Sequence, residues 1–204
     1  QRNRVLGEIA KVLHKNVPRI LRANQKDLQQ IALHDPMRDR LILTKERIAS
    51  MVKGVKTVAA LDDPLGNVLE QRTLPNGLHI KKVTVPFGVV GVVYESRPNV
   101  TVDVVSLCLK SGNAIVLKGG SDAWHSNLLL VTLLKQALLC VGLPSSLILN
   151  IDPRNRKIVK QLLVAKEYID VLIPRGGAGL ISFVQESAKM PVIETGSGVC
   201  HTYV

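Results

Sequence analysis

Two segments, each placed after a run of β-forming residues, combine glycine with a basic side chain. In the first, Lys118, Gly119, Gly120 and Ser121 follow residues 114–117. Glycine lets a backbone approach a ligand closely, a helix starting at Ser121 would offer free N–H groups, and Lys118 adds positive charge. The segment therefore predicts a site for a nucleotide phosphate or ribose, although a glycine pair before a helix is also an ordinary tight turn.

The second segment, residues 174–179, reads Pro-Arg-Gly-Gly-Ala-Gly and leads from another β-rich run into a helix. Glycine turns in this position can cradle a pyrophosphate, which makes Gly176, Gly177 and Gly179 candidate cofactor-binding residues. The spacing matches neither the G-x-G-x-x-G fingerprint nor the Walker A motif. A flexible turn without a ligand remains the alternative.

Three polar residues near the ends of other β-rich runs are candidates for contacts with a substrate. Arg97 offers a planar guanidinium for a carboxylate or phosphate, and Asn99 an amide that could stabilise an oxyanion. The structural alternative is that Arg97 pairs with Glu95 and that Asn99 caps the next helix. Glu194 could act as a general base or hold a ribose hydroxyl, or it could simply face solvent.

The cysteines show no metal-ligand spacing, and no metal site is predicted. Cys108 and Cys140 lie in apolar helical stretches and are expected to be buried and unreactive. Cys200 is next to His201, but neighbours on a strand point to opposite faces, so we interpret Cys200 as structural. His125 could face a ligand or serve packing.

Strands and helices must alternate to position these residues, and residues 87–204 are predicted to form one Rossmann-like α/β domain. The predicted elements are strands at 89–94, 114–117, 147–151, 169–173 and from 192, and helices at 102–110, 121–142, 155–165 and from 179. This alternation implies a parallel sheet with helices on both faces. Ligands of such sheets bind beyond the carboxyl ends of the strands, so the candidate residues are expected along one edge.

The first part of the chain has a different pattern. Residues 1–66 show apolar residues at helical spacing and are predicted to be a helical part of the cofactor domain, with Asn16 and Thr44 as helix caps. Residues 67–86 place Pro-Asn-Gly between two β-rich runs, which indicates a β-hairpin. Such an arm could serve subunit association or lie along its own domain.

Composition and charge limit the functions open to this chain. Hydrophobic residues make up 46% of 204 and aromatic residues 3%, so the core must be aliphatic. The net charge of +11 fits either a solvated surface or attraction of a multiply charged anion. Basic residues are scattered and aromatics are few, which disfavours nucleic acid. The longest apolar stretch is interrupted by polar residues, which argues against a membrane span.

Location and completeness are also suggested by the sequence. Three cysteines without a disulfide-like pattern, and no visible signal peptide, predict a cytoplasmic protein. The chain starts at Gln1 and stops at Val204 inside an apolar β-rich run, so we expect a piece of a longer protein.

Longer strings around the candidate residues resemble the γ-glutamyl phosphate reductase family of the aldehyde dehydrogenase superfamily. They lie at residues 85–103, 109–121, 125–127, 168–180 and 191–196, with Cys200 and His201, and the similarity covers the whole chain. The resemblance implies an aldehyde dehydrogenase-like fold with an NADPH-binding domain, a catalytic domain and a β-hairpin arm for homo-oligomerisation. It also implies NADPH-dependent reduction of L-glutamyl 5-phosphate to L-glutamate 5-semialdehyde and phosphate, the second step of proline biosynthesis.

The same resemblance suggests roles for individual residues. Lys118 matches a lysine near the adenosine ribose, and residues 176–179 match the turn beside the pyrophosphate. Glu194 loosely matches the glutamate near the nicotinamide, and Asn99 roughly matches the oxyanion asparagine, at a shorter spacing. Glutamate 5-kinase is a candidate partner. Lys118 and the basic charge favour the 2′-phosphate of NADPH over NADH.

The resemblance also predicts that this chain alone does not turn over substrate. The family's nucleophilic cysteine belongs to a later catalytic domain, and no cysteine here matches that motif. The alternative to an enzyme is thus a truncated, catalytically incompetent dinucleotide-binding module. A basic nucleic-acid binder is a third, weaker hypothesis.

Overall fold

The computed structural model describes residues 1–194, in which the strands form two separate sheets. An antiparallel pair comprises β1 and β2, and a parallel sheet has the order β5-β4-β3-β6. The strands are β1 Val68–Thr73, β2 His79–Val83, β3 Val89–Tyr94, β4 Ala114–Lys118, β5 Ile148–Asn150 and β6 Val171–Arg175. The predicted α/β class with parallel pairing is confirmed.

Eight α-helices accompany these strands within the described residues. They are α1 Arg2–Lys15, α2 Val17–Leu28, α3 Arg38–Leu41, α4 Lys45–Ala60, α5 Pro98–Lys110, α6 Trp124–Cys140, α7 Arg156–Val164 and α8 Ala178–Ser187. Thr44 caps α4 as predicted, because its hydroxyl accepts a hydrogen bond from the Arg47 N–H at 3.2 Å. Asn16 precedes α2, but its side chain donates to the Val12 carbonyl in the last turn of α1 and makes no capping hydrogen bond to α2.

Helices cover both faces of the parallel sheet, as predicted. Val90, Val92 and Tyr94 of β3 pack into a large core with the N-terminal helices, α5 and α6. Val93 points the other way, into a smaller core that includes residues of α7 and α8 such as Leu163 and Val184. The aliphatic composition supplies both cores.

One predicted strand is shifted in the structure. The fourth strand begins at Val171 rather than at residue 169, because the N–H groups of Tyr168 and Ile169 both bond to the Ala165 carbonyl in a tight turn after α7. Consequently Pro174 and Arg175 belong to β6 and not to the turn. The predicted fifth strand begins with a parallel bridge from Leu172 to Val192.

The hairpin of β1 and β2 stands out from the rest of the chain. Gly77 has φ +84°, the left-handed conformation that the predicted Asn-Gly turn requires. All six residues of β1 and all but one of β2 are exposed. The arm therefore projects into solvent and does not lie along its own domain.

No helix among residues 1–194 combines the length and hydropathy of a membrane-spanning segment. The apolar stretch of the sequence analysis forms α6, whose inner face is buried beneath α1 and α2.

Candidate functional site

The carboxyl ends of three strands meet at one edge of the parallel sheet. Val93 is level with Lys118 of β4, and Tyr94 is level with Arg175 of β6. The segments that follow β3, β4 and β6 therefore start side by side, as the alternation of elements predicted.

The loop after β3 links this edge together. Glu95 donates its N–H to the Arg175 carbonyl, and its carboxylate accepts the Gly177 N–H at 2.9 Å. Ser96 has φ +33°, an uncommon left-handed conformation for a residue with a side chain, and its hydroxyl bonds to the Asp122 carboxylate. Glu95 thus binds the glycine segment and forms no ion pair with Arg97, contrary to the structural alternative.

The turn after β4 is packed closely against buried polar side chains. A Cβ added at Gly119 would collide with the Asn127 amide and approach the Tyr94 hydroxyl to 3.1 Å. Asn127 accepts a hydrogen bond from Thr101, which also bonds to Tyr94 at 2.7 Å. Burial raises the pKa of Tyr94 to about 12. Packing alone therefore requires a glycine at position 119, independently of any ligand.

The helix expected to start at Ser121 starts later. Residues Ser121–Ala123 form one 3₁₀ turn, and α6 begins at Trp124. The α6 N–H groups of His125 and Ser126 donate to the carboxylate of Asp27 at 2.9 and 2.8 Å, and Asp27 is 1% exposed. The prediction of free helix N–H groups here was wrong, because an internal carboxylate from α2 binds them.

His125 and Lys118 complete this side of the edge. The His125 ring lies 2.9 Å from the Asp27 carboxylate, so this histidine has a structural partner within the fold. Lys118 is half-buried, and loss of water lowers its pKa, an effect opposed by the charges of Asp122 and Glu95. Its ammonium group therefore lies near two carboxylates at the junction of the turns.

A cavity of about 290 Å³ opens between the ends of β3 and β6. Three guanidinium groups and one carboxylate line it, together with the glycine segment: its charged and glycine residues are Arg40, Glu95, Arg97, Arg175, Gly176 and Gly177. None of the three arginines forms an ion pair with any other residue of the described chain. Such a concentration of unpaired positive charge favours an anionic ligand.

Arg40 is the site residue that sequence reasoning missed. It lies on α3, a helix of four residues with no periodicity to predict it. Tertiary packing of the N-terminal helices brings it to the sheet edge, and only its residue type could have suggested a binding role.

A neighbouring cavity of about 470 Å³ shares Arg40 and Arg97 with the first. Asn99 and Asp103 of α5 line its wall, and the Asn99 amide donates to Asp103 at 3.2 Å. Asn99 is the second residue of α5 and does not cap it. Partial loss of water raises the pKa of Asp103, while the Asn99 hydrogen bond and the charge of Arg175 lower it.

The start of α8 has the features of an anion site. Gly177 is the cap residue, no acidic residue lies in the first turn, and a Cβ at Gly179 would meet nothing within 4 Å. Helix geometry leaves the N–H groups of Ala178 and Gly179 without partners inside the helix. These residues fit a pyrophosphate, provided that the Glu95 carboxylate yields the Gly177 N–H.

Glu194 lies at the end of the described chain, beyond Val192, which pairs with Leu172 of β6. The Ile193 N–H donates to Leu172 at 2.9 Å, so Glu194 extends alongside β6 toward the same edge, and it is exposed. Cys200 and His201 lie outside the described residues.

The described cysteines differ from each other. Cys108 is buried, and burial raises its pKa to about 12, so it is unreactive as predicted. Cys140 is the last residue of α6 and is exposed, because it lies on the outer face of the helix next to exposed Leu139, while Leu138 and Val141 are buried; its predicted burial was wrong. Among residues 1–194, no three side chains of the metal-binding types converge on one point.

Comparisons with known proteins support this picture. A sequence profile described as the aldehyde dehydrogenase family matches residues 2–196. The chain is 50% identical, over all of its length, to 50% of the gamma-glutamyl phosphate reductase of Enterococcus faecalis. It thus spans about half the length of the curated relatives it matches.

Solved structures agree with the sequence comparisons. The gamma-glutamyl phosphate reductase of Thermotoga maritima superimposes with a TM-score of 0.92 at 41% identity, over 97% of this chain and 49% of that one. The protein of the same name from Saccharomyces cerevisiae gives 0.86 at 34% identity, over 94% and 50%.

Proposed function

This chain belongs to the aldehyde dehydrogenase family, and we propose that it is the dinucleotide-binding portion of a γ-glutamyl phosphate reductase. The proposed reaction is NADPH-dependent reduction of L-glutamyl 5-phosphate to L-glutamate 5-semialdehyde and phosphate, in proline biosynthesis. The observation that carries the proposal is the open cavity at the strand ends, where three arginines without ion pairs in the described chain adjoin the start of α8. Both the dinucleotide and the acyl phosphate are multiply anionic, as that cavity requires.

In this proposal, different residues bind different parts of NADPH. NADPH supplies the hydride. The N-terminal N–H groups of α8, with Gly176, Gly177 and Gly179, bind its pyrophosphate. Lys118, with Gly119, Gly120 and Ser121, lies beside the adenosine ribose and its 2′-phosphate; this is compatible with the half-buried position of the lysine. We propose that Glu194 lies near the nicotinamide.

Arg97 and Asn99 are the proposed contacts with the reacting end of the substrate. Arg97 lines both cavities, so it can reach an anionic group in either. The Asn99 amide already donates to Asp103, and its rotation would let it donate to an oxyanion instead. We expect Asn99→Ala in the whole enzyme to lower kcat by about 100-fold.

Direct binding tests the cofactor assignment. Isothermal titration of the 204-residue chain with NADPH and NADH should give tighter binding of NADPH. Lys118→Gln should weaken NADPH binding and leave NADH binding nearly unchanged, since NADH lacks the 2′-phosphate. Lys56→Gln, an exposed lysine on α4, is the matched control. Equal binding of both cofactors to the unaltered chain would contradict the preference for NADPH.

A binding module without turnover is the second candidate function for the chain by itself. The observation in its favour is that Cys108 is buried with a raised pKa, while Cys140 lies at the far end of α6, away from the arginine cavity. Phosphate-dependent NADP reduction by glutamate 5-semialdehyde is the assay. Any turnover by the 204-residue chain would contradict its proposed inactivity.

The β1–β2 arm is proposed to mediate homo-oligomerisation. Its apolar side chains Val68, Leu69 and Val83 are 51%, 63% and 44% exposed, which is unfavourable unless another surface covers them. Leu69→Lys should lower the sedimentation coefficient to that of a monomer, whereas Glu70→Lys on the same strand should change it less. We also propose a cytoplasmic location, which is compatible with Cys108 and Cys140 being free cysteines among the described residues. Glutamate 5-kinase remains a candidate partner.

A further inference from the structure

The larger cavity, of about 470 Å³, is lined by charges of both signs. Two of them cancel, because Arg47 pairs with Asp39 at 2.9 Å. Arg40, Arg97 and Asp103 remain, and none of the three forms an ion pair with another described side chain. The cavity therefore offers separate places for an anionic and a cationic group.

Asp103 is the cation-accepting side of this cavity. Its Oδ2 atom accepts one hydrogen bond, from Asn99, while Oδ1 accepts none from the described residues. Gly54 of α4 leaves space next to Oδ1, since a Cβ placed on that glycine would lie 3.9 Å away. A carboxylate with unused acceptor positions and room beside it suits an ammonium group, which carries three donors.

We propose that this cavity binds the amino-acid end of the substrate, with Asp103 accepting hydrogen bonds from an α-ammonium group and Arg40 binding the α-carboxylate. The inference rests on the proposed function and adds to it the residues that select an α-amino acid. The volume suits a small ligand. Two charged anchors of opposite sign fix the orientation of such a molecule, because reversing it would place like charges together.

The neighbouring cavity explains how the same ligand reaches the cofactor. Arg97 lines both cavities, and Asn99 lies on the wall of the larger one, one turn of helix before Asp103. A five-carbon amino acid anchored at Asp103 extends past Asn99 toward Arg97 and the glycine segment. Its far carbonyl then lies near Arg97 and Asn99, the proposed contacts with the reacting end of the substrate.

Three small molecules test this on the 204-residue chain: L-glutamate, glutarate, which lacks the amino group, and 4-aminobutyrate, which lacks the α-carboxylate. We expect L-glutamate to bind about tenfold more tightly than glutarate, the effect of one charged hydrogen-bonded contact. Asp103→Asn should abolish this preference, and Asp62→Asn, an exposed loop aspartate, should keep it. NMR titration reads weak affinities directly.

The arginine anchor has its own variant. Arg40→Gln should reduce L-glutamate binding by about tenfold and leave 4-aminobutyrate binding unchanged, because only the former carries an α-carboxylate. Arg4→Gln, an exposed arginine of α1 outside both cavities, is the control.

The outcomes separate the inference from the proposed function. Equal binding of L-glutamate and glutarate, a preference that survives Asp103→Asn, or no binding of L-glutamate at all would each overturn the role of Asp103. A cooperative urea unfolding transition in every variant shows that the variants fold, and NADPH binding by the unaltered chain shows that the cofactor assignment stands. Absence of NADPH binding to the unaltered chain would instead count against the proposed function.

Discussion

The two halves of the sheet's carboxyl edge differ in how their polar groups are satisfied. At the end of β4, Gly119 packs on buried Asn127, the Ser96 hydroxyl bonds to Asp122, and Asp27 binds the first N–H groups of α6. Between β3 and β6, by contrast, Arg40, Arg97 and Arg175 line an open cavity without ion pairs in the described chain. Both halves look alike in sequence, since each combines glycine with a basic residue.

This difference distinguishes a glycine turn that stabilises the fold from one that is open to a ligand. A buried polar group without a partner is costly, so internal hydrogen bonds close the β4 half and stabilise the fold. Exposed guanidinium groups without partners contribute little to stability and are available to a ligand. Substitutions of Asp27 and Gly119 should therefore affect stability, whereas substitutions of the arginines between β3 and β6 should affect binding.

Asp27→Asn should have the largest effect. The amide would turn a donor toward the Ser126 N–H, leaving a buried donor without a partner, and we expect a loss of about 2 kcal/mol in the free energy of unfolding. Urea denaturation measures it. Asp35→Asn, where the aspartate accepts a hydrogen bond from Met37 in an exposed loop, should cost less than about 1 kcal/mol. Equal losses would contradict the structural role of the β4 half.

Gly119→Ala should destabilise the protein by about 1.5 kcal/mol, because the added methyl group collides with the buried Asn127 amide. Gly179→Ala is the matched control on α8, where open space and helical backbone predict a gain of up to about 1 kcal/mol. Thermal unfolding of both variants gives the comparison. A neutral Gly119→Ala would show that this turn is not tightly packed.

Arg175→Gln should leave stability within about 0.5 kcal/mol and weaken NADPH binding by about tenfold. The guanidinium has no ion pair to lose in the described chain, whereas a pyrophosphate beside it would lose a charged contact. Arg22→Gln, an exposed residue of α2, should change neither quantity. Isothermal titration and urea denaturation together separate the two effects, and unfolding of Arg175→Gln would contradict them.

Glu95→Gln should strengthen NADPH binding by about threefold. Its carboxylate now bonds to the Gly177 N–H, next to the proposed pyrophosphate position, and like charges repel there. Removal of that charge is expected to lower the dissociation constant in the same titration. Weaker binding would contradict this expectation and would indicate that the Glu95 carboxylate mainly holds the glycine turn in its binding conformation.

The smallest expected effect is that of Asp103 ionisation on the pH dependence of the free energy of unfolding. Its pKa is raised in the folded protein, mainly by loss of water, so the folded state is penalised once Asp103 ionises. Asp103→Asn should therefore be slightly more stable than the unaltered chain at neutral pH, by at most about 0.5 kcal/mol. The difference should vanish as the pH falls below the unfolded pKa of about 4. A variant less stable at pH 7 would contradict the sign.

The comparison also marks how far sequence reasoning reached. Alternating runs such as residues 89–94 and 114–117 predicted the parallel sheet and its shared edge, because periodicity and turn residues are local signals. Arg40 was not predicted, since only tertiary packing carries it from α3 to that edge. Asp27, 98 residues from the helix start that it caps at His125, was equally invisible to spacing.

The predicted starts of one helix and one strand were wrong, because local backbone hydrogen bonds that the hydrophobic pattern does not encode determine them. Because Ser121–Ala123 form a 3₁₀ turn, α6 begins after them, and because a tight turn follows α7, β6 begins only at Val171. Cys140 was expected in the core because its helix is apolar, but it lies on the outer face of that helix, next to exposed Leu139.

Hydrogen–deuterium exchange of the 204-residue chain with and without NADPH tests the central claim most directly. NADPH should slow exchange most in residues 174–181, less in residues 118–121, and not in the β1–β2 arm. Slowed exchange at the opposite edge of the sheet, around residues 86–89 and 112–114, or no change at any position, would contradict the assignment of the β3–β6 half as the binding site.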